Sequence, residues 1–192
     1  MVEVYLGGEA EVRIYEDFVE KIRRRKRYRI RELDEEIRKK RTRAEARIIS
    51  QARKAGVATP IILDVENDKI VMERIRGDEL KDVMNEELCR EVGRIVAKLH
   101  SAGIIHGDLT PRNMIYSEGK IYVIDFGLAF HSHEVEAKGV DLHVFIESLK
   151  AAYDNWERLK EAFLRGYLES GGSEEVLERL REIEQRGRYI ER

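Results

Sequence analysis

HGDLTPRNMI, residues 106–115, holds His106, Asp108 two residues on, Asn113 five beyond that, and Pro111 between them. Immediately downstream, MIYSEGKIYVIDFG (114–127) alternates apolar and polar residues around Glu118-Gly119, the pattern of a hairpin whose second strand ends at Asp125. Two carboxylates and an amide thus emerge from loops of one short β unit. Three oxygen donors of this kind suit a hard divalent cation such as Mg²⁺, which completes its coordination with water and substrate phosphates. The chemistry implied is phosphoryl transfer or hydrolysis. One carboxylate orients the attacking oxygen, and the other joins the amide in holding the metal.

Working upstream, Leu88, Val92, Ile95, Val96 and Leu99 recur at helical spacing until Gly103, and a polar helix precedes them near Asp78 to Met84. IILDV and KIVMERI flank Asn67-Asp68 as a second hairpin, with Gly77 following as a hinge or turn. From Asp34 to Ala55 the pattern is helical, with Asp34 placed to cap the start and Gly56 to end it. KIRRRKRYRIREL (21–33) has few apolar residues and reads as an irregular basic loop. Residues 2–22 alternate around Gly7-Gly8, which predicts two or three short antiparallel strands. From Asp141 onward everything reads as helix. The fold class predicted is α+β in two lobes: residues 1–76 form a small β-rich lobe with one helix, and residues 77–192 a larger helical lobe, together one domain.

A chain of 192 residues with 42% hydrophobic content builds a real core and is not disordered. No run of about eighteen apolar residues exists, and MVEVYLGGEAEV lacks the basic-then-apolar order of a secretory signal, so a cytoplasmic chain with no membrane partner is expected. Cys89 is the single cysteine; it excludes a disulfide framework and reads as a small core residue. Charged residues reach 39%, while Gln stands only at 51 and 185 and Asn only at 67, 85, 113 and 155, a usage like that of hyperthermophiles. The net charge of −2 conceals an asymmetry: residues 21–54 hold 16 Lys and Arg against 5 Asp and Glu. Such a segment is either a solvated helix balanced by the acidic remainder or an attractor of phosphates and RNA.

HGDLTPRN followed by IDFG resembles the paired catalytic and metal-binding motifs of the protein kinase superfamily, written H-R-D-L-x-x-x-N and D-F-G. That resemblance makes Asp108 the catalytic Asp and Asn113 and Asp125 the metal ligands, with Phe126-Gly127 packing after the metal Asp. It also requires a lysine for the α and β phosphates of ATP and a helix glutamate to orient it. Lys21, at the end of the last alternating stretch, and Glu45, central in the following helix, are the candidates, with Lys26 second for the lysine. Met72, Glu73 and Ile75 fall at the hinge, where backbone groups would take adenine.

Departures narrow the reading. LGGEAEV supplies only Gly7 and Gly8, so the phosphate-covering turn is short and built from backbone N–H groups of Gly7, Gly8, Glu9 and Ala10. Gly107 stands where many kinases carry the arginine that pairs with a phosphorylated activation loop, Thr110 where a lysine is common, and no A-P-E follows DFG. Without such a loop, nothing requires Arg at 107. GGEA, the insert RRRKRYRIRELDEEI, RTRAEAR, GVATP, VMERIRG, HGDLTPRN, DFG and VDLHVF together resemble the small atypical kinase/ATPase subunit of the KEOPS tRNA-modification complex, the p53-related protein kinase family, in an archaeal form.

The family resemblance implies a cytosolic protein that binds ATP and Mg²⁺ and autophosphorylates on Ser or Thr. It implies partners as well: the transferase subunit, of sugar-kinase-like fold, that attaches threonylcarbamoyl to tRNA adenosine, and a small regulatory subunit on the N-lobe. The basic segment 21–54 would then lie near tRNA phosphates. Three alternatives stand beside it: a conventional Ser/Thr kinase, a small-molecule phosphotransferase, and a nucleotide-binding scaffold without turnover. RIO-type kinases share HGD but are set apart by the GGEA turn and by DFG. Among lesser features, His131 and His133 read as exposed loop residues, and Arg186 and Arg188 as basic residues near nucleotide or tRNA.

Overall fold

A computed structural model describes residues 2–190, with side chains as far as Arg186. The smaller lobe is a five-stranded antiparallel sheet in the order β1-β2-β3-β5-β4. Strands β1 (Glu3–Leu6), β2 (Ala10–Ile14) and β3 (Phe18–Arg23) form a meander. Helix α1 (Arg31–Lys54) crosses the sheet, and β4 (Ile62–Val65) and β5 (Lys69–Glu73) close it. In register, Lys21 stands opposite Val12 on one side and Ile70 on the other, which puts it in the sheet's middle strand. Period-two alternation sends Lys21 and Arg23 to the same buried face, beneath α1.

In the smaller lobe two boundaries differ from those expected. β3 runs on through Lys21, Ile22 and Arg23, so the irregular basic loop starts later, at Arg24. Helix α1 begins at Arg31, with Ile30 rather than Asp34 at its N-cap position. Asp34 lies inside the first turn, fully buried, where it accepts the Lys26 N–H at 3.1 Å and the Arg38 Nε–H at 2.8 Å. A short acidic side chain reads as a cap when only sequence is known; here two arginines, Arg29 and Arg38, and the Lys26 N–H hold it inward instead.

The larger lobe opens with β6 (Asp78–Glu79), the single turn α2 (Leu80–Val83) and the amphipathic α3 (Glu86–Ser101). Asn85 caps α3 by accepting the Leu88 N–H at 2.9 Å. Then come β7 (Ile104–Ile105), a 3₁₀ turn at Pro111–Asn113, and the hairpin β8 (Met114–Ser117) and β9 (Lys120–Val123). Glu118 and Gly119 both take positive φ, 49° and 78°, as a two-residue hairpin turn requires. β9 ends at Val123, so Asp125 lies just past the strand rather than at its last position. Strand β10 (Phe130–His131) pairs with β7, and α4 (Val135–Ala152), α5 (Trp156–Glu169) and α6 (Glu174–Ile190) complete the lobe. Helix therefore begins at Val135, six residues before the expected Asp141.

One apolar core joins the lobes, from Ile48, Ile49 and Ala52 of α1 to Leu177 and Leu180 of α6, and includes Cys89 and Phe126. α3 and α5 cross at Gly93 and Gly166. A Cβ on either would collide with backbone of the other helix, at Phe163 or Arg90. Among the described residues, no helix is long and apolar enough to cross a membrane.

Candidate active site

A cleft of about 500 Å³ separates the lobes. Val12, Ile14, Val19 and Met72 line it from the sheet, Ile115 and Ile124 from the hairpin β8–β9, and the strand-to-lobe connection Glu73, Arg74, Ile75, Arg76 and Gly77 closes its back. Lys21, Asn113 and Asp125 supply its polar end. An apolar slot with a few convergent polar groups at one end fits a flat heteroaromatic base bearing a charged tail. Gly77 is held tight, since a Cβ there would overlap the Tyr116 carbonyl, and Ser117 donates to the Arg76 carbonyl at 2.6 Å. The hinge is thereby fixed to the lower lobe.

Lys21 Nζ contacts Glu45 Oε1 at 2.7 Å and Asp125 Oδ1 at 2.6 Å. Burial alone would lower the lysine pKa, but the two carboxylates outweigh it and hold the ammonium above its ordinary value. Asp125 is the converse: burial would raise it, while the Lys21 charge and the Gly127 N–H, 2.8 Å from Oδ1, keep it below the usual carboxylate range. Both groups are therefore ionised at neutral pH. Arg23 takes the other oxygen of Glu45, Nη2 to Oε2 at 2.5 Å. Lys26, the second lysine candidate, lies elsewhere; its Nζ donates to the Gly8 carbonyl at 2.7 Å.

Asn113 Nδ2 donates to the backbone oxygen and to Oδ2 of Asp108, at 2.8 and 3.0 Å, leaving its amide oxygen uncommitted to that pair. The Ile124 N–H donates to the Asn113 carbonyl at 3.0 Å, which ties the two loops together beside Asp125. The uncommitted amide oxygen of Asn113 and Asp125 Oδ2, which makes none of the bonds above, are the hard oxygen donors that Mg²⁺ prefers. This donor set fits a magnesium ion completed by phosphate and water. Among the described residues no three His, Cys, Asp or Glu side chains converge, so a site made of protein ligands alone is not what the loops build.

Asp141 of α4 organises the loop that carries Asp108. Its carboxylate accepts the N–H groups of His106 and Gly107, both at 2.9 Å, and meets His100 Nε2 at 3.2 Å, while His100 Nδ1 lies 2.9 Å from the Tyr167 hydroxyl. Burial would raise Asp141, yet its bond to His100 and the nearby His106 keep it below the ordinary range. His106 itself is fully buried, which pushes its imidazole pKa down; its ring packs on Phe126 with centroids 5.1 Å apart. Gly107 takes φ of 79°, and a Cβ there would stand 2.5 Å from the Leu128 carbonyl oxygen. Glycine at 107 is thus a demand of the backbone, beyond the mere absence of a role for arginine. The only cue for Asp141 in the sequence is an acid on an otherwise apolar face of VDLHVF.

A RIO domain profile matches residues 5–142. The chain is 64% identical over its whole length to a probable serine/threonine-protein kinase, a BUD32 homolog, of Archaeoglobus fulgidus, and covers 98% of that protein. The chain belongs to the Bud32 family of RIO-domain kinases. A KEOPS complex subunit Bud32 of Pyrococcus abyssi is 45% identical across 99% of the chain and 93% of its own length. A probable bifunctional tRNA threonylcarbamoyladenosine biosynthesis protein of Methanoculleus marisnigri is 52% identical over 96% of the chain, which spans only 35% of that relative. Among solved structures, the Rio2 kinase of Chaetomium thermophilum in an ADP/Mg²⁺-phosphoaspartate complex superposes with a TM-score of 0.67 over 99% of this chain and 71% of its own, at 16% identity, a likeness of fold. The RIO-domain match runs through both the GGEA turn and DFG, so neither sets the chain outside that group.

In this Bud32-family chain the residues 7–10 are placed differently from the rest of the site. Ala10 is buried at the start of β2, the Gly8 carbonyl is held by Lys26, and the Glu9 carboxylate pairs with Lys26 at 3.3 Å and Arg41 at 2.9 Å. The turn caps the sheet end of the cleft without lining the cleft itself. Many cations of segment 21–54 are likewise engaged within the fold: Lys21 and Arg23 with Glu45, Arg29 and Arg38 with Asp34, Arg41 with Glu9. Arg25 and Arg27 point outward beside Tyr28, which is 79% exposed. His131 is not free in its loop; it bridges the Gly103 carbonyl, 3.3 Å, and Gln51 Oε1, 2.8 Å. Arg186 pairs with Glu136 and Glu182, away from the cleft, and the side chain of Arg188 lies outside the described residues.

Proposed function

We propose that this chain is an Mg-ATP-dependent atypical Ser/Thr kinase and ATPase that serves in the cytoplasm as the Bud32 subunit of a KEOPS complex, supporting threonylcarbamoyl-adenosine formation on tRNA. The observation that carries the reading is Lys21, held between Glu45 and Asp125 at the polar end of an apolar cleft, with Asn113 beside it. Met72, Glu73 and Ile75 bound the base, and the Ile75 N–H makes no hydrogen bond among the described residues, so it is available to a ring nitrogen. Lys21, fixed by Glu45, binds the α and β phosphates. Asp108, oriented through Asn113, aligns the attacking oxygen of water or of a Ser/Thr hydroxyl. Held by Asn113 and Asp125, a magnesium ion supplies neutralisation of charge on the phosphate oxygens. The turn of residues 7–10 would cover the phosphates once nucleotide enters, with the Gly8 and Glu9 N–H groups as its donors, since the Gly7 N–H is held by the Ala10 carbonyl.

Relatives carrying the KEOPS subunit name and the bifunctional relatives support the rest of the proposal. In the latter, the two thirds of the chain without counterpart here would be the transferase partner of sugar-kinase-like fold. A small regulatory subunit would sit on the N-lobe, residues 1–76, and tRNA phosphates and bases would meet Arg25, Arg27 and the exposed Tyr28.

The test is a time course with γ-labelled ATP and Mg²⁺, counting label in protein and in free phosphate, with and without the transferase partner. The proposal expects the partner to divert label from protein to free phosphate, and Asp125→Ala to abolish both. Label that passes mainly to added protein substrates, whatever the partner, makes this a conventional Ser/Thr kinase. No label in either pool leaves the scaffold reading.

A further inference from the structure

Arg23 is buried, 6% exposed, on the face of β3 that packs under α1, a position where the strand pattern calls for an apolar side chain. Its Nη2 takes Glu45 Oε2, and its Nε–H finds no partner among the described residues. A buried guanidinium with an orphaned donor is poorly repaid in stability; an apolar pair of similar volume in place of both Arg23 and Glu45 would serve the fold about as well. Its one strong contact is the carboxylate that orients Lys21.

The geometry of the carboxylate explains what a second cation does. Glu45 Oε1 faces Lys21 and Oε2 faces Arg23, so each oxygen has one cation and the carboxylate has a single orientation. Asp125, the other partner of Lys21, is the residue expected to turn to a metal when nucleotide enters. With Oδ2 on the metal and its charge shared, Asp125 holds Lys21 less firmly through Oδ1, and Glu45 becomes the lysine's main partner. With Oε2 unheld, Glu45 is free to rotate away.

Helix α1 is fastened to the sheet at further depths by Asp34 to the Lys26 N–H, Arg38 to Asp68 of the β4–β5 turn, and Arg41 to Glu9. The Arg38–Asp68 and Arg41–Glu9 pairs are more exposed than Arg23–Glu45.

We propose that Arg23 is a positioning residue for ATP binding, fixing the Glu45 carboxylate, and through it Lys21, in the assembled arrangement without any phosphorylated loop. The proposal rests on the reading of the cleft as an ATP site. It assigns to β3 two cations with separate duties: Lys21 touches phosphate, and Arg23 touches only Glu45.

A double-mutant cycle in the full chain tests it, reading Mg-ATP dissociation constants by calorimetry, ATPase kcat and KM, and thermal midpoints. Wild-type chain that binds no ATP would refute the ATP-site reading, and with it the proposal. Given wild-type binding, Arg23→Gln is expected to weaken ATP on the order of ten-fold in a chain that still folds, with a lowered thermal midpoint because one partner of a buried pair is lost. Arg23→Lys, which restores a cation at Oε2, is expected to recover most of the loss. In a Glu45→Gln background, adding Arg23→Gln is expected to change affinity less than two-fold, because the residue acts through the carboxylate already removed. Unchanged affinity in Arg23→Gln overturns the proposal, and so does an additive double variant, which would put Arg23 on the nucleotide itself. If Arg23→Gln does not fold, Arg23→Met, which keeps the volume without the cation, carries the cycle: a KM increase abolished by Glu45→Gln supports the role, and an unchanged KM, or an increase that persists in that background, refutes it.

Discussion

Gly107 shows how one residue can be misjudged from chemistry alone. Its φ of 79° and the Leu128 carbonyl 2.5 Å from where a Cβ would sit make glycine a steric requirement. Gly107→Ala is expected to destabilise the fold by about 1–3 kcal/mol and to reduce turnover further by shifting Asp108; urea midpoints and ATPase rates check both. Asp141 gives a second prediction. Its folded pKa is depressed, so the unfolded chain binds its proton first as pH falls, and the stability the group contributes is present above the unfolded Asp pKa of about 4 and lost as pH falls from there through the folded value. Asp141→Asn should therefore lower stability at pH 7 and flatten the acid limb of the stability–pH curve; an unchanged limb would remove Asp141 from that role. At this scale the meeting of Lys21 with Glu45 and Asp125, and of Asn113 with Asp108, was legible, because motif spacing singles out Asp108, Asn113 and Asp125, and Lys21 and Glu45 stand at a strand end and in mid-helix. Arg23 and Asp141 were not, because their importance lies in contacts 22 and 34–35 residues away in sequence, with Glu45 and with the His106 and Gly107 N–H groups.

Helices and strands were legible where a single face is buried. α3 shows a clean apolar stripe, and both hairpins are announced by Asn67-Asp68 and Glu118-Gly119. The two-residue strands β6, β7 and β10 escaped notice, since pairs so short carry no period. The end of β3 was hidden because Arg23 is a charge turned inward, which inverts the usual pattern. Crossing helices yield their own prediction. α3 and α5 approach so closely that Gly166 has no room for a Cβ against the Arg90 backbone. Gly166→Ala should lose about 1–3 kcal/mol by denaturant unfolding, despite the better helix propensity of alanine. A neutral or stabilising result would mean that the crossing relaxes freely.

At the scale of the whole molecule, the small sheet lobe, the helical lobe and the cleft between them follow from the order of elements, and the core that runs from α1 to α6 keeps the lobes joined. The cleft places an apolar slot against a cluster of two cations and two carboxylates. That arrangement is the basis for reading the chain as an ATP-dependent member of the Bud32 family. The most direct test is equilibrium binding of ATP with Mg²⁺ to wild-type chain and to Lys21→Met, each shown to be folded by circular dichroism. Saturable one-to-one binding by the wild type, weakened at least about ten-fold in Lys21→Met, is the expected result. Equal affinity in the two proteins would contradict the account, because the lysine at the polar end of the cleft would then hold no phosphate.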